Sequence, residues 1–225
     1  MKKRRKLKIE RVILVFLVVY LLIYLSAYLM QVSIQNVFVF GQHRFFDNDQ
    51  TIMEMANLDD YPSCILTSSR KIVKKLERDP RIKSAKVERR WFCQLHLYIE
   101  EYPILFIKRS DYKAVLDTNK EIALGKQLIT APVLINHVPS EQYPKLIKAM
   151  KKINQDVLDK ISEIEYSPNN VDKERFLLSM NDGNYVYLTL TKYDKLNYYL
   201  LVLEELEGRH GVFYWDAGNY FKIID

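Results

Sequence analysis

The residue types able to hold a metal ion or attack a substrate are few and badly spaced: His43, His96, His137 and His210, with Cys64 and Cys93. Two ligands on one helix must stand three or four residues apart to share a face, and no two of these histidines do. Cys93 and His96 make the nearest metal-like pair, but on a strand positions three apart fall on opposite faces. Asp47, Asn48 and Asp49 supply acids of the kind that open a calcium loop. Ile52 stands where such a loop needs glycine, so a helix cap explains the acids better. No glycine-rich phosphate loop and no G-x-S-x-G elbow occurs. The sequence therefore predicts no catalytic residue, no metal ligand and no cofactor.

What remains is recognition chemistry. Phe213, Tyr214, Trp215, Tyr220 and Phe221 crowd the C-terminal segment with the aromatic types that anchor interfaces. Alternate residues of a closing strand face the core, so about half of these are expected only to pack. A second charged surface, Arg70, Lys71, Lys74 and Lys75 with Arg89-Arg90-Trp91, could meet a partner protein or an anionic polymer, although charged helix faces are commonly just solvated. Outside a membrane Cys64 and Cys93 are free to pair, but two cysteines are no disulfide framework. Two unpaired, partly buried thiols are the preferred reading, and whether Cys64 meets Cys93 is open.

The elements that must position these residues begin with Val12 to Met30, 19 residues without a charge. At helical rise they span about 28 Å, close to the roughly 30 Å hydrocarbon core of a bilayer. The run is apolar all round, which suits lipid better than a protein core. Bulky Tyr28, Leu29 and Met30 follow Ser26 and Ala27, so an uncleaved anchor fits better than a signal peptide. Seven of the 34 Lys and Arg and one of the 28 Asp and Glu lie in residues 1–11, leaving 27 of each sign elsewhere; the tail thus carries the whole net charge of +6. That cluster is expected to stay cytoplasmic and to leave residues 31–225 outside. A neutral external part excludes a phosphate-binding stripe, and with it nucleic acid as a partner.

Ser33 to Phe40 reads as a strand stopped by Gly41. A helix follows over about 48–58, where Gln50 completes a capping box with Asp47. Thr67 or Ser68 caps a second helix carrying Ile72, Val73 and Leu76, ended by Asp79-Pro80. Ile82 to Arg89 and Leu95 to Glu101 alternate as a hairpin turned at Arg90 to Gln94. Downstream, strands are expected at 104–108, 114–117, 121–124, 133–136, 161–166, 175–180 and 185–190. Helices are expected at 141–153 and 192–206, a tight turn at Asn181-Asp182-Gly183, and a terminal β segment at 212–215 and 220–224. The fold class is α+β: one N-terminal transmembrane helix, a β-α-α-β-β unit, and a mixed, mostly antiparallel β domain with helices.

This order resembles the FtsQ/DivIB family of bacterial cell-division proteins over nearly the whole chain. The resemblance rests on Val37 to Gly41 (VFVFG), Leu76 to Val87 (LERDPRIKSAKV), Glu100 to Pro103 (EEYP), Ala114 to Ile122 (AVLDTNKEI) and Gly211 to Ile223 (GVFYWDAGNYFKI). Two turns depart from the family pattern, with Asn119-Lys120 and Asn136 where glycine is usual; asparagine tolerates the left-handed conformation both would need. The chain also stops at Asp225, short of the longer tail of some relatives. The resemblance implies a basic cytoplasmic tail (1–11), a transmembrane helix (12–30), a POTRA domain (31–103) and a β domain with a partner-binding C-terminal helix and strands (104–225). It implies a non-enzymatic scaffold at the division septum that binds FtsL-like and FtsB/DivIC-like single-span proteins, with contact residues Tyr198, Tyr199, Val202, Phe213, Tyr214, Trp215, Tyr220 and Phe221. Synthase components of the septal wall are further partners it implies. The rival reading is a membrane-anchored cell-wall hydrolase or other envelope enzyme, for which no nucleophile is recognisable. A POTRA protein of outer-membrane export would need a large barrel that 225 residues cannot hold.

Overall fold

The computed structural model describes residues 9–41, 44–46, 48–125, 129–206 and 208–224. Most of the basic tail, His43 and Asp47 lie outside the described residues. The chain divides into two compact units, residues 1–100 and 101–225.

The first unit opens with α1 (Ile9–Gln31), 23 residues with a mean hydropathy of 2.7 over its most apolar window and none buried. Ser26 donates its hydroxyl to the Ile23 carbonyl, so the run's one aliphatic hydroxyl is satisfied within the helix. The chain then forms β1 (Asn36–Phe40), α2 (Asp49–Ala56), α3 (Ser69–Leu76), β2 (Ile82–Arg90) and β3 (Gln94–Glu101). The sheet order is β1-β3-β2, with β1 parallel to β3 from Asn36 opposite Gln94 to Phe40 opposite Tyr98. Ile52, Met53 and Ala56 of α2, Ile72 and Leu76 of α3, and Leu95, Leu97 and Ile99 of β3 are buried. The cap of α2 is Asn48, whose Oδ1 accepts from the Thr51 amide at 3.0 Å, while Gln50 reaches forward to Glu54. At the foot of α3 the Arg81 guanidinium grips Asp79. Burial would raise the Asp79 pKa, but the hydrogen bonds and charge of Arg81 outweigh it and hold the carboxyl below its ordinary value.

Cys64 and Cys93 are joined in a disulfide with their Cα atoms 5.7 Å apart. This corrects the expectation of two free thiols. They stand 29 positions apart in sequence, and no local pattern signals the approach, because it is made by the fold. The Cys93 carbonyl accepts from Gln35, while Cys64 donates its amide to Val32.

The second unit is built on a nine-stranded sheet in the order β12-β11-β10-β9-β8-β7-β4-β5-β6. Its strands are β4 (Ile104–Lys108), β5 (Lys113–Leu116), β6 (Glu121–Ala123), β7 (Val133–Leu134), β8 (Ile161–Tyr166), β9 (Arg175–Met180), β10 (Tyr185–Thr189), β11 (Gly211–Tyr214) and β12 (Tyr220–Ile223). Pairing is antiparallel except for β4 with β7, β7 with β8 and β10 with β11. The α+β class expected from the sequence is therefore the observed one. Helices α4 (Tyr143–Met150), α5 (Gln155–Leu158) and α6 (Tyr199–Glu204) contribute Leu146, Met150, Val157, Leu158 and Tyr199 to a core shared with Ile164, Phe176, Leu178, Val186, Leu188 and Phe213.

Two local expectations change for physical reasons. The helix expected over 192–206 is a 3-10 segment, Leu190–Tyr198, leading into α6. Tyr193, Leu196 and Tyr199 are all buried and stand three apart, the period of a 3-10 helix rather than an α-helix. Asn136 does not adopt a left-handed turn; its side-chain amide bonds both the N–H and the C=O of Tyr166, extending the β7–β8 ladder by one side chain. Asn119, by contrast, is left-handed at φ 65°.

Candidate partner-binding edge

The aromatic C-terminal segment forms the end of the large sheet. Strand β11 lies between β10 and β12, pairing Val186, Phe213 and Phe221 across one row and Tyr187, Tyr214 and Tyr220 across the next. Because side chains alternate along a strand, the two rows face opposite sides of the sheet. The first row points inward: Phe213 and Phe221 have ring centroids 4.6 Å apart, and Tyr199 and Trp215 close around Phe213 at 5.7 and 5.3 Å.

The second row forms a tyrosine ladder on the opposite side of the sheet. Tyr187 and Tyr214 stack at 5.3 Å, Tyr214 and Tyr220 at 4.6 Å with ring planes 10° apart. The Arg175 guanidinium lies 3.6 Å from the Tyr187 ring centre and bonds Asp216 at 2.7 Å, extending the ladder with a cation–π contact. Strand β12 is the outermost strand of the sheet. Tyr220, Lys222 and Ile223 are exposed on it.

The eight residues named from the sequence thus separate into two sets. Tyr199, Phe213 and Trp215 are buried and hold the core together. Tyr198 and Tyr220 are exposed, and Val202, Tyr214 and Phe221 are half-buried. Phe221 and Val202 both pack against that core, so of the eight only Tyr198, Tyr220 and the half-buried Tyr214 are left to face outward.

The sequence reading missed Asn184, which fixes this edge from beneath. Fully buried, it accepts the Gly211 amide at 2.8 Å through Oδ1 and donates through Nδ2 to the Tyr199 hydroxyl at 3.2 Å. Tyr199 in turn donates to the Asp182 carboxylate at 2.8 Å. Burial first, and the Asp182 contact second, push the Tyr199 phenol far up, so it stays a protonated donor. Gly211 has no room for a Cβ, which would overlap the Lys222 carbonyl and the Phe221 ring. Only the neighbouring turn residues Asp182 and Gly183 hint at Asn184 in the sequence. Replacing Asn184 by alanine is expected to cost roughly 1–3 kcal/mol for the orphaned Gly211 N–H alone. Urea unfolding, together with faster hydrogen exchange at Gly211, will register it.

Among the described residues no three His, Cys, Asp or Glu side chains gather where they could hold a metal. Cys93 spends its sulfur on the disulfide, and His96 packs between Phe38 and Phe40 at 5.3 and 5.2 Å.

Comparison with known proteins finds a matching domain in the first unit and similar proteins over most of the chain. Residues 32–102 match the POTRA domain, FtsQ-type. The cell division protein DivIB of Bacillus cytotoxicus is 29% identical over 200 residues, covering 86% of this chain and 77% of that protein. DivIB of Listeria monocytogenes is 24% identical, covering 84% and 72%. A solved structure of the major extracytoplasmic domain of DivIB from Geobacillus stearothermophilus aligns with 48% of this chain and 96% of that one, at 23% identity and a TM-score of 0.39. The chain thus carries an FtsQ-type POTRA domain directly after its apolar helix, and over more than four-fifths of its length it is similar to DivIB cell-division proteins.

Proposed function

We propose that this protein is a non-enzymatic scaffold of the division machinery, anchored by α1, with residues 1–11 cytoplasmic and residues 31–225 outside. In this reading residues 31–103 form the POTRA domain. Residues 104–225 bind FtsL-like and FtsB/DivIC-like single-span proteins at the septum and so help assemble and regulate wall synthesis. The observation that carries the proposal is the outermost strand β12, flanked by the tyrosine ladder. An edge strand offers a row of backbone donors and acceptors to a partner strand, and the side chains beside it choose the partner.

Co-purification of the full chain in detergent with the two partner types tests this. Tyr214→Glu and Tyr220→Glu are each expected to weaken capture by roughly 2 kcal/mol, about 30-fold, as for a buried aromatic anchor. Their unfolding midpoints should stay close to that of the unsubstituted chain. No capture by the folded chain would reject the scaffold, and undiminished capture by both variants would move the site elsewhere.

A further inference from the structure

Four large apolar side chains stand out in water at one end of the first unit: Trp91 is 88% exposed and Phe92 85%, with Ile65 and Leu66 at 54% and 65%. Trp91 and Phe92 form the β2–β3 turn, and Ile65 and Leu66 lie in the segment between α2 and α3. Both places are bonded to the few residues that leave α1. The Ser63 hydroxyl donates to the Met30 carbonyl at 2.6 Å, Cys64 donates to Val32 at 2.8 Å, and Gln35 donates to the Cys93 carbonyl at 3.1 Å. Since β1 runs parallel to β3, the start of β3, and the turn before it, must lie at the end where α1 stops.

We propose that Ile65, Leu66, Trp91 and Phe92 form a rim that seats in the lipid headgroup region of the leaflet from which α1 emerges. Met30 ends the charge-free run, so a segment bonded to its carbonyl lies at the boundary between hydrocarbon and headgroups. That boundary is where tryptophan concentrates, because its ring is apolar and its N–H needs a polar partner. The rim is held before it meets lipid. The Cys64–Cys93 disulfide joins its two halves, and the Arg89 guanidinium spans from β2 to the Cys64 and Thr67 carbonyls and the Ser69 hydroxyl. Little ordering is left for binding to supply. Arg90, just before Trp91 and bonded to Glu88 at 2.8 Å, and Arg70 and Lys71, shortly after Leu66, are exposed beside these segments and suit lipid phosphates. Such a rim would fix the tilt of the POTRA domain on the membrane, turning a tethered domain into an oriented one.

The inference rests on α1 crossing a bilayer, and one preparation separates the two. The full chain is reconstituted into vesicles of neutral and anionic phospholipid, and fluorescence is compared between the unsubstituted chain and Trp91→Phe. The chain has two tryptophans, and Trp215 is buried, so the difference isolates Trp91. The expected result is emission at shorter wavelength than in water, several-fold protection from aqueous iodide, and stronger quenching by lipids brominated near the glycerol than by lipids brominated near the chain ends. Retention in the vesicles after alkaline carbonate, with Trp91 as open to iodide as a free tryptophan, would overturn the rim and leave the anchor standing. Extraction by carbonate would overturn both. Protection that appears only on adding another division protein would assign the rim to a protein partner and also overturn the lipid proposal.

Discussion

Phe213→Ala is expected to destabilise the second unit by about 3–5 kcal/mol, the usual cost of emptying a buried phenylalanine site. Phe213 sits at the centre of a cluster formed by Phe221, Trp215 and Tyr199, with Val186 beside it across the β10–β11 pair. Removing its ring leaves a cavity bounded by three other aromatic rings, which cannot collapse far because two belong to paired strands or their ends. A loss of this size is a large share of a typical domain's 5–15 kcal/mol. The variant should therefore lower the urea midpoint strongly and lose partner capture only as a consequence of unfolding. Tyr214, its neighbour on the opposite face, should show the reverse pattern, with capture lost and midpoint kept. If Phe213→Ala weakened capture at an unchanged midpoint, the division of these residues into core and contact sets would be wrong.

Removing the Cys64–Cys93 bond should act just as strongly on the first unit. For a sequence separation of 29 the chain-entropy estimate gives about 3.6 kcal/mol. The paired Cys64→Ser, Cys93→Ser variant and the reduced parent protein should show the same loss of midpoint, and the parent should recover on reoxidation. Hydrogen exchange should quicken first at Cys64 and Gln35, whose amides join the two loops to the chain leaving α1. Equal midpoints for oxidised and reduced protein would count against a structural role for the bond. A disulfide also agrees with the proposed placement of residues 31–225 on the external side of the membrane, where oxidising conditions allow it to persist.

Which features could be read from the sequence follows from how local their cause is. The apolar run Val12 to Met30, the Ile52, Met53 and Ala56 stripe of α2, the alternation of Leu95, Leu97 and Ile99, and the Asn181-Asp182-Gly183 turn each carry their signal within one continuous stretch of at most about twenty residues. All four reappear in the structure. Even the short second helix was legible, because Ile72 and Leu76 lie four apart and Pro80 follows.

At the C-terminal edge of the large sheet the sequence determined that alternate residues of the terminal strands divide between two faces, since side chains along a strand have a period of two. Which set faces the core was left to tertiary structure, because shifting the register by one residue exchanges the faces without altering the local pattern. Packing against Tyr199 and the bond from Asn184 to Gly211 chose Phe213 and Trp215 for the interior and left Tyr214 and Tyr220 on the other side. The disulfide has the same origin. Two cysteines 29 residues apart carry no statement of proximity, and only the parallel pairing of β1 with β3 brings the turn holding Cys93 beside the segment that leaves α1, where Cys64 is also bonded.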